Sequence, residues 1–137
     1  MSKVPVAAVI GHPVNHSRSP RMHNYWLAQF GLEGYYIPLD IDPKKFERSI
    51  RNLPELGFVG ANITIPYKEK VLKIADKISD RAALVGAANT LTFLQNGGIY
   101  ADNTDGYGFL QNIKSKYKDW SASEGISVVF GAGGASR

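Results

Sequence analysis

A chain of 137 residues with 44% hydrophobic and 20% charged side chains has the size and balance of one ordinary globular domain with a real core. It holds no cysteine, which excludes disulfide staples, thiolate metal sites and cysteine nucleophiles. The net charge of +4 is spread over Lys44 and Lys45, then Lys68, Lys70, Lys73 and Lys77, then Lys114, Lys116 and Lys118. These lysines stand beside acidic residues, a pattern of solvated helix faces that attract small anions, so no nucleic-acid partner is expected. No apolar run reaches about 18 residues, so neither a transmembrane helix nor a membrane partner is expected. Met1-Ser2-Lys3 runs straight into a strand-like segment without the apolar stretch of a signal peptide. A cytoplasmic location fits the absence of cysteine.

In chain order, residues 4–10 read as a buried strand, and Ser19-Pro20 opens a helix that runs to about Phe30-Gly31. Residues 34–39 form a second strand, and Asp42-Pro43 starts a helix with Phe46, Ile50 and Leu53 inward. Residues 58–65 form a third strand, with Ile63 and Ile65 toward the core. Lys68 to Ile78 has helical periodicity, with Val71, Leu72, Ile74 and Ala75 on one face. A short helix follows over 80–85, then a β-hairpin over 89–94 and 98–102 around Gln95-Asn96-Gly97. Asp105-Gly106 begins another helix with Leu110, Ile113 and Tyr117 inward, and residues 118–125 read as a polar linker. Residues 126–130 form a fresh apolar strand. The alternation predicts an α/β fold: a mostly parallel sheet flanked by helices, with one hairpin.

Four segments carry polar groups to the ends of strands, where open α/β sheets bind ligands. The last is Gly131-Ala132-Gly133-Gly134-Ala135-Ser136-Arg137, which with strand 126–130 reads as the opening of a dinucleotide-binding domain. There Gly131, Ala132, Gly133, Gly134 and Ala135 would approach the pyrophosphate. Ser136 stands where a third glycine is usual, and the helix that should follow is not in the sequence. The first segment is Gly11-His12-Pro13-Val14-Asn15-His16-Ser17-Arg18-Ser19-Pro20. A helix cap explains Ser19 by itself, but Ser17 and Ser19 together at a helix N-terminus suit a carboxylate. His12, His16 and His23 lack metal spacing, so structural hydrogen bonds are expected of them and no metal is.

Asn62 and Thr64 share one face of the third strand, and Lys68 overhangs the same sheet end. Asn89-Thr90 and Asp102-Asn103-Thr104-Asp105-Gly106 add further short polar groups. An EF-hand is excluded, since aligning Gly106 with the loop glycine puts Ala101 and Asn112 at its outer positions. Hydroxyls and amides suit a polyol, while a helix terminus and a lysine suit a carboxylate.

Four stretches together make a pattern. Gly11-x-Pro13-x-x-His16-Ser17-x-Ser19-Pro20-x-x-His23-Asn24 is followed by Asn62-Ile63-Thr64-Ile65-Pro66-Tyr67-Lys68, by Gly86-Ala87-Ala88-Asn89-Thr90 and by Asn103-Thr104-Asp105-Gly106. In that order they resemble the shikimate dehydrogenase family, and Gly131 to Arg137 is similar to that family's NADP loop. The resemblance implies NADP-dependent, reversible reduction of 3-dehydroshikimate to shikimate in aromatic amino-acid biosynthesis. It implies Ser17 and Ser19 on the substrate carboxylate, Asn62, Thr64, Asn89 and Asp105 on ring hydroxyls, and Lys68 with Asp105 as the catalytic pair. A lysine can donate the proton that a developing alkoxide needs, and Asp105 is read as orienting it. The paired serines resemble shikimate-specific members more than quinate-using ones; a quinate/shikimate dehydrogenase and a non-catalytic shikimate-binding module are the alternatives.

The domain division that follows is a substrate-binding and catalytic domain over 1–117, a linker over 118–125, and the start of an NADP-binding domain over 126–137. A whole nucleotide domain needs about a hundred more residues. The expectation is therefore that this chain alone is inactive, binds shikimate weakly, and leaves strand 126–130 as an unpaired apolar edge.

Overall fold

A computed structural model describes residues 4–123 and 125–131. β1 (Val6–Gly11) is a near-continuous apolar run because both faces of the sheet are covered there. It pairs in parallel with β2 (Tyr35–Asp40) and with β3 (Phe58–Ile63). The hairpin expected from Gln95-Asn96-Gly97 is present as β5 (Thr90–Phe93) and β6 (Ile99–Asp102). β5 runs antiparallel to β3, and β6, reversing again, regains the direction of β1 to β3. With β4 (Lys77–Ile78) beside β6, the sheet has the order β2-β1-β3-β5-β6-β4, and only β5 opposes the rest.

That single reversal positions the site. The carboxyl ends of β1, β3 and β6 lie along one edge of the sheet, and the chain enters β5 from the same edge. The polar segments after β1, β3 and β6 and before β5 are thereby brought together.

The main core lies on one face, where Ala8, Ile10, Ala61, Ile63, Leu91, Ile99 and Ala101 meet Phe46, Ile50 and Leu53 of the helical segment around α2 (Phe46–Asn52). Asp42 holds the turn into α2, its Oδ1 accepting the Lys44 N–H at 2.7 Å. On the other face a smaller cluster of Val9, Val14 and Tyr36 sits beside α1 (Ser19–Gln29). α3 (Asp80–Val85) is capped by Ser79 Oγ, which accepts the Ala82 N–H at 3.1 Å. Its end is marked by Gly86 in the left-handed region at φ 71°, the conformation glycine adopts without penalty. No helix among the described residues is long and apolar enough to cross a membrane.

Five expectations are corrected. Lys68 to Ile78 is not one helix: Lys70–Lys73 is a 3-10 turn and Lys77–Ile78 is β4. Val71 and Ile74 are three apart, a spacing that a 3-10 turn buries as well as an α-helix does. Beyond it, pairing with β6 supplies backbone partners, and Asp76 exchanges hydrogen bonds with Ile99 through its own N–H and its Oδ2. β3 ends at Ile63, and Ile65 is 69% exposed rather than in the core. Backbone bonds to the β1 chain continue just past it, Thr64 N–H to the Ile10 carbonyl and His12 N–H to the Ile65 carbonyl, before the chain turns through Pro66. α4 (Asp105–Lys116) has no buried residue: Leu110 and Tyr117 are exposed and Ile113 is half-buried, since no described element covers that face.

Residues 126–130 are not a strand, and Ile126, Val128, Val129 and Phe130 are exposed. A strand exists only with a partner ladder, and no described strand pairs with them. Finally, Ser19 is the first residue of α1 rather than its cap; Arg18 holds the cap position, without a side-chain bond.

Candidate active site

A cleft of about 420 Å³ opens at the sheet edge defined above. Ser17, Ser19, Asn62, Thr64, Lys68, Asn89 and Asp105, each expected to meet substrate, all line it, and each is half-buried. Val9, Val14, Met22 and Ile63 form its apolar parts. This mixture suits a ring carrying several polar substituents.

Each wall has a local cause. The loop after β1 is held down by Asp40 at the end of β2, whose Oδ1 lies 2.6 Å from His12 Nδ1 and whose Oδ2 accepts the Val14 N–H at 3.2 Å. The His12 contact, then the Val14 N–H, lowers the Asp40 pKa from the ordinary carboxylate value, so the clamp stays ionised. Val14 is buried under the loop, and its carbonyl accepts the Ser17 N–H. Ser17 Oγ then accepts the Ser19 N–H at 3.3 Å, taking up one of the unpaired donors of the first helical turn. The Ser19 hydroxyl stands free of that duty at the N-terminus of α1, where an anion is favoured.

Gly11 has a specific reason to be glycine: a Cβ there would lie 2.6 Å from Thr64 Cγ2 and 2.9 Å from the Ile65 carbonyl oxygen. Lys68 follows Tyr67, which is fully buried, stacked on Phe46 with centroids 3.9 Å apart, and bonded through its hydroxyl to the Ile41 carbonyl. The Lys68 carbonyl accepts the Ala88 N–H at 2.8 Å, which ties it to the segment before β5.

At the centre, Lys68 Nζ donates to Asp105 Oδ2 at 2.5 Å, and Asn89 Nδ2 donates to Asp105 Oδ1 at 2.6 Å. The lysine side chain is 15% exposed and that of Asp105 41%, so the ammonium is sheltered while the carboxylate faces the open cleft. A helix cap would have accounted for Asp105, but Thr104 occupies the cap position and the carboxylate turns to Lys68 instead.

Three holding residues were not singled out from sequence. Asn103, buried within the Asn103-Thr104-Asp105 motif, accepts the Asp105 N–H at 3.0 Å and donates to the Ala87 carbonyl at 2.9 Å. Asp102 takes bonds from Arg81, Ser79 and the Asn103 N–H, and Arg81 first among them holds its carboxyl well below the usual range. Asp40, an acid at a strand's carboxyl end, had that position as its signal. Of the histidines, His12 pairs with Asp40, His23 stacks on Tyr36 at 4.2 Å, and His16 lines the cleft.

Of the expected dinucleotide loop, Ala132, Gly133, Gly134 and Ala135 lie outside the described residues. Gly131 has φ 117°, a value suited to a glycine turn, yet a Cβ on it would meet nothing within 4 Å. With no strand before it, the described residues alone form no dinucleotide cradle.

A family model described as the shikimate dehydrogenase substrate binding domain matches residues 9–91. The chain is 55% identical, over all 137 residues, to the protein named shikimate dehydrogenase (NADP(+)) of Roseobacter denitrificans, of which it covers 50%. It superposes with a TM-score of 0.87 and 37% identity on shikimate 5-dehydrogenase of Thermus thermophilus in complex with shikimate, over 96% of this chain and 49% of that one. A shikimate dehydrogenase in complex with NADP+ matches with a TM-score of 0.86 and 36% identity, over 97% of this chain and 45% of that one. The chain thus spans about half the length of the curated relatives it matches. By its motifs, its fold and these matches, the chain belongs to the shikimate dehydrogenase substrate-binding domain family.

Proposed function

We propose that this chain is the substrate-binding and catalytic part of an NADP-dependent shikimate dehydrogenase, interconverting 3-dehydroshikimate and shikimate. The observation that carries the proposal is the Lys68–Asp105 pair at 2.5 Å, set inside a cleft that also holds Ser17 and Ser19 at a helix N-terminus. NADP is assigned on the names of the relatives and on the glycine-rich segment from Gly131.

The substrate carboxylate docks on the Ser17 and Ser19 hydroxyls, helped by the partial positive charge of the α1 terminus. Asn62, Thr64, Asn89 and Asp105 bond the ring hydroxyls. As the ketone is reduced, negative charge builds on its oxygen, and Lys68 Nζ donates a proton there; in oxidation the neutral amine takes the proton back. Asp105 and Asn89 hold the ammonium in line. We assign residues 1–117 to this domain, 118–125 to a linker and 126–137 to the start of the nucleotide domain. A cytoplasmic location accords with the absence of cysteine and with biosynthetic relatives.

The test is Lys68→Ala in the protein at its natural length. Turnover of shikimate with NADP should fall by about 10²–10⁴-fold, the worth of a positioned proton donor, while shikimate binding by calorimetry persists. Undiminished turnover, or a wild type that never oxidises shikimate, overturns the proposal. Quinate offered in place of shikimate should be the poorer substrate.

A further inference from the structure

Tyr36 belongs to no part of the chemistry above, yet it is buried at 5% exposure and anchored from several sides. The Asn24 side chain bonds both of its backbone groups, Nδ2 to the carbonyl at 2.8 Å and Oδ1 from the N–H at 2.9 Å. The His23 ring stacks on its own ring at 4.2 Å and 17°. Its hydroxyl reaches Asn62 Oδ1 at 2.6 Å.

The direction of that bond follows from the other end of the Asn62 amide. Nδ2 faces the Asn89 carbonyl and Thr90 Oγ1, both at 3.3 Å. A carbonyl can only accept, so the nitrogen must point that way and Oδ1 must point to Tyr36, which therefore donates. Burial pushes the phenol up to about 12, so it stays a donor at working pH. Thr90 spends its own proton on Asn89 Oδ1 at 2.9 Å, which leaves it accepting from Asn62. Both N–H groups of Asn62 and one lone pair of its oxygen are then committed to protein. The remaining lone pair on Oδ1 is all that Asn62 can offer to a ligand in the cleft.

We propose that Tyr36 is a positioning residue that locks Asn62 as an acceptor, so that the cleft takes a hydroxyl donor at that point and discriminates against a group unable to donate. The inference rests on the reading that the cleft binds shikimate. It also gives His23 and Asn24 a purpose, since both hold Tyr36.

The test compares shikimate with analogues each lacking one ring hydroxyl, by Kd and kcat/KM, in the protein at its natural length. The wild type should bind the analogue that lacks the Asn62-facing hydroxyl about tenfold more weakly, the worth of one hydrogen bond. Tyr36→Phe should narrow that gap while the other analogues keep theirs, whereas Thr90→Val, which leaves the Tyr36 bond and the Asn89 carbonyl in place, should keep it. A gap unchanged in folded Tyr36→Phe, or narrowed equally by Thr90→Val, overturns the lock. The Asn62 side-chain amide resonances report it without ligand: they move in Tyr36→Phe if the phenol donates to Asn62, and unmoved resonances overturn it. Failure of the wild type to bind shikimate at all instead sinks the functional reading.

Discussion

Lys68 and Asp105 stand 37 positions apart in the chain, yet Nζ and Oδ2 meet at 2.5 Å. Neither residue finds the other through local structure. Lys68 is set by the buried Tyr67 and by the Ala88 N–H on its carbonyl, while Asp105 is set by Asn103 and Asn89. The carboxylate accepts from both partners at once, so the ammonium is held in one place rather than left to roam on its flexible stem. Asp105→Asn removes the charge but keeps the shape. It is expected to lower kcat by about 10²-fold, within the range for a group that aligns an acid–base residue, with a smaller change in KM. Steady-state kinetics check it.

Ser17 and Ser19 are expected to act on binding rather than on chemistry. Each Ser→Ala change removes one hydrogen bond to a carboxylate, about 1.5–3 kcal/mol, and should weaken shikimate binding by roughly tenfold or more. Calorimetry with shikimate and with its carboxamide tells the roles apart, because the neutral amide gains less from the helix terminus and should lose less.

Gly11→Ala places a methyl group 2.6 Å from Thr64 Cγ2 and 2.9 Å from the Ile65 carbonyl. The second contact is with backbone and cannot rotate away. A loss of about 1–3 kcal/mol is expected, the usual cost of overpacking, together with weaker ligand binding as Thr64 shifts. Urea unfolding measures the first and titration the second.

Asp102 supplies a pH dependence. Its folded pKa lies below the unfolded value, chiefly because Arg81 bonds it. The stabilisation is therefore full above the unfolded pKa of about 3.9 and is lost as pH falls toward the lower folded value. Asp102→Asn should lower Tm at pH 7, and the difference from wild type should shrink steadily below about pH 4. A gap that stays constant into acid would show that the charge is not the cause.

The 137-residue chain by itself is expected to bind shikimate weakly and to show no NADP-dependent turnover, since it spans about half the length of the relatives named for that activity. Difference spectroscopy with NADP, with and without shikimate, decides this.

Periodicity and turn residues alone determined most of the order of strands and helices, because the alternation of buried and exposed positions is local. The site residues were legible for a related reason. Ser17, Ser19, Asn62, Thr64, Lys68, Asn89 and Asp105 are short or cationic side chains at strand ends, and they fall within motifs that resemble one family. What the sequence left undecided depends on partners distant along the chain. Lys77–Ile78 has helical spacing but becomes a strand because β6 offers it a ladder, and residues 126–130 have strand composition but no ladder to join. The reversal of β5 brings Asn89 to Asp105, and the pairing of β1 with both β2 and β3 brings Tyr36 to Asn62. A hydrogen bond needs both of its ends, and only the tertiary structure decides which distant group supplies the second one.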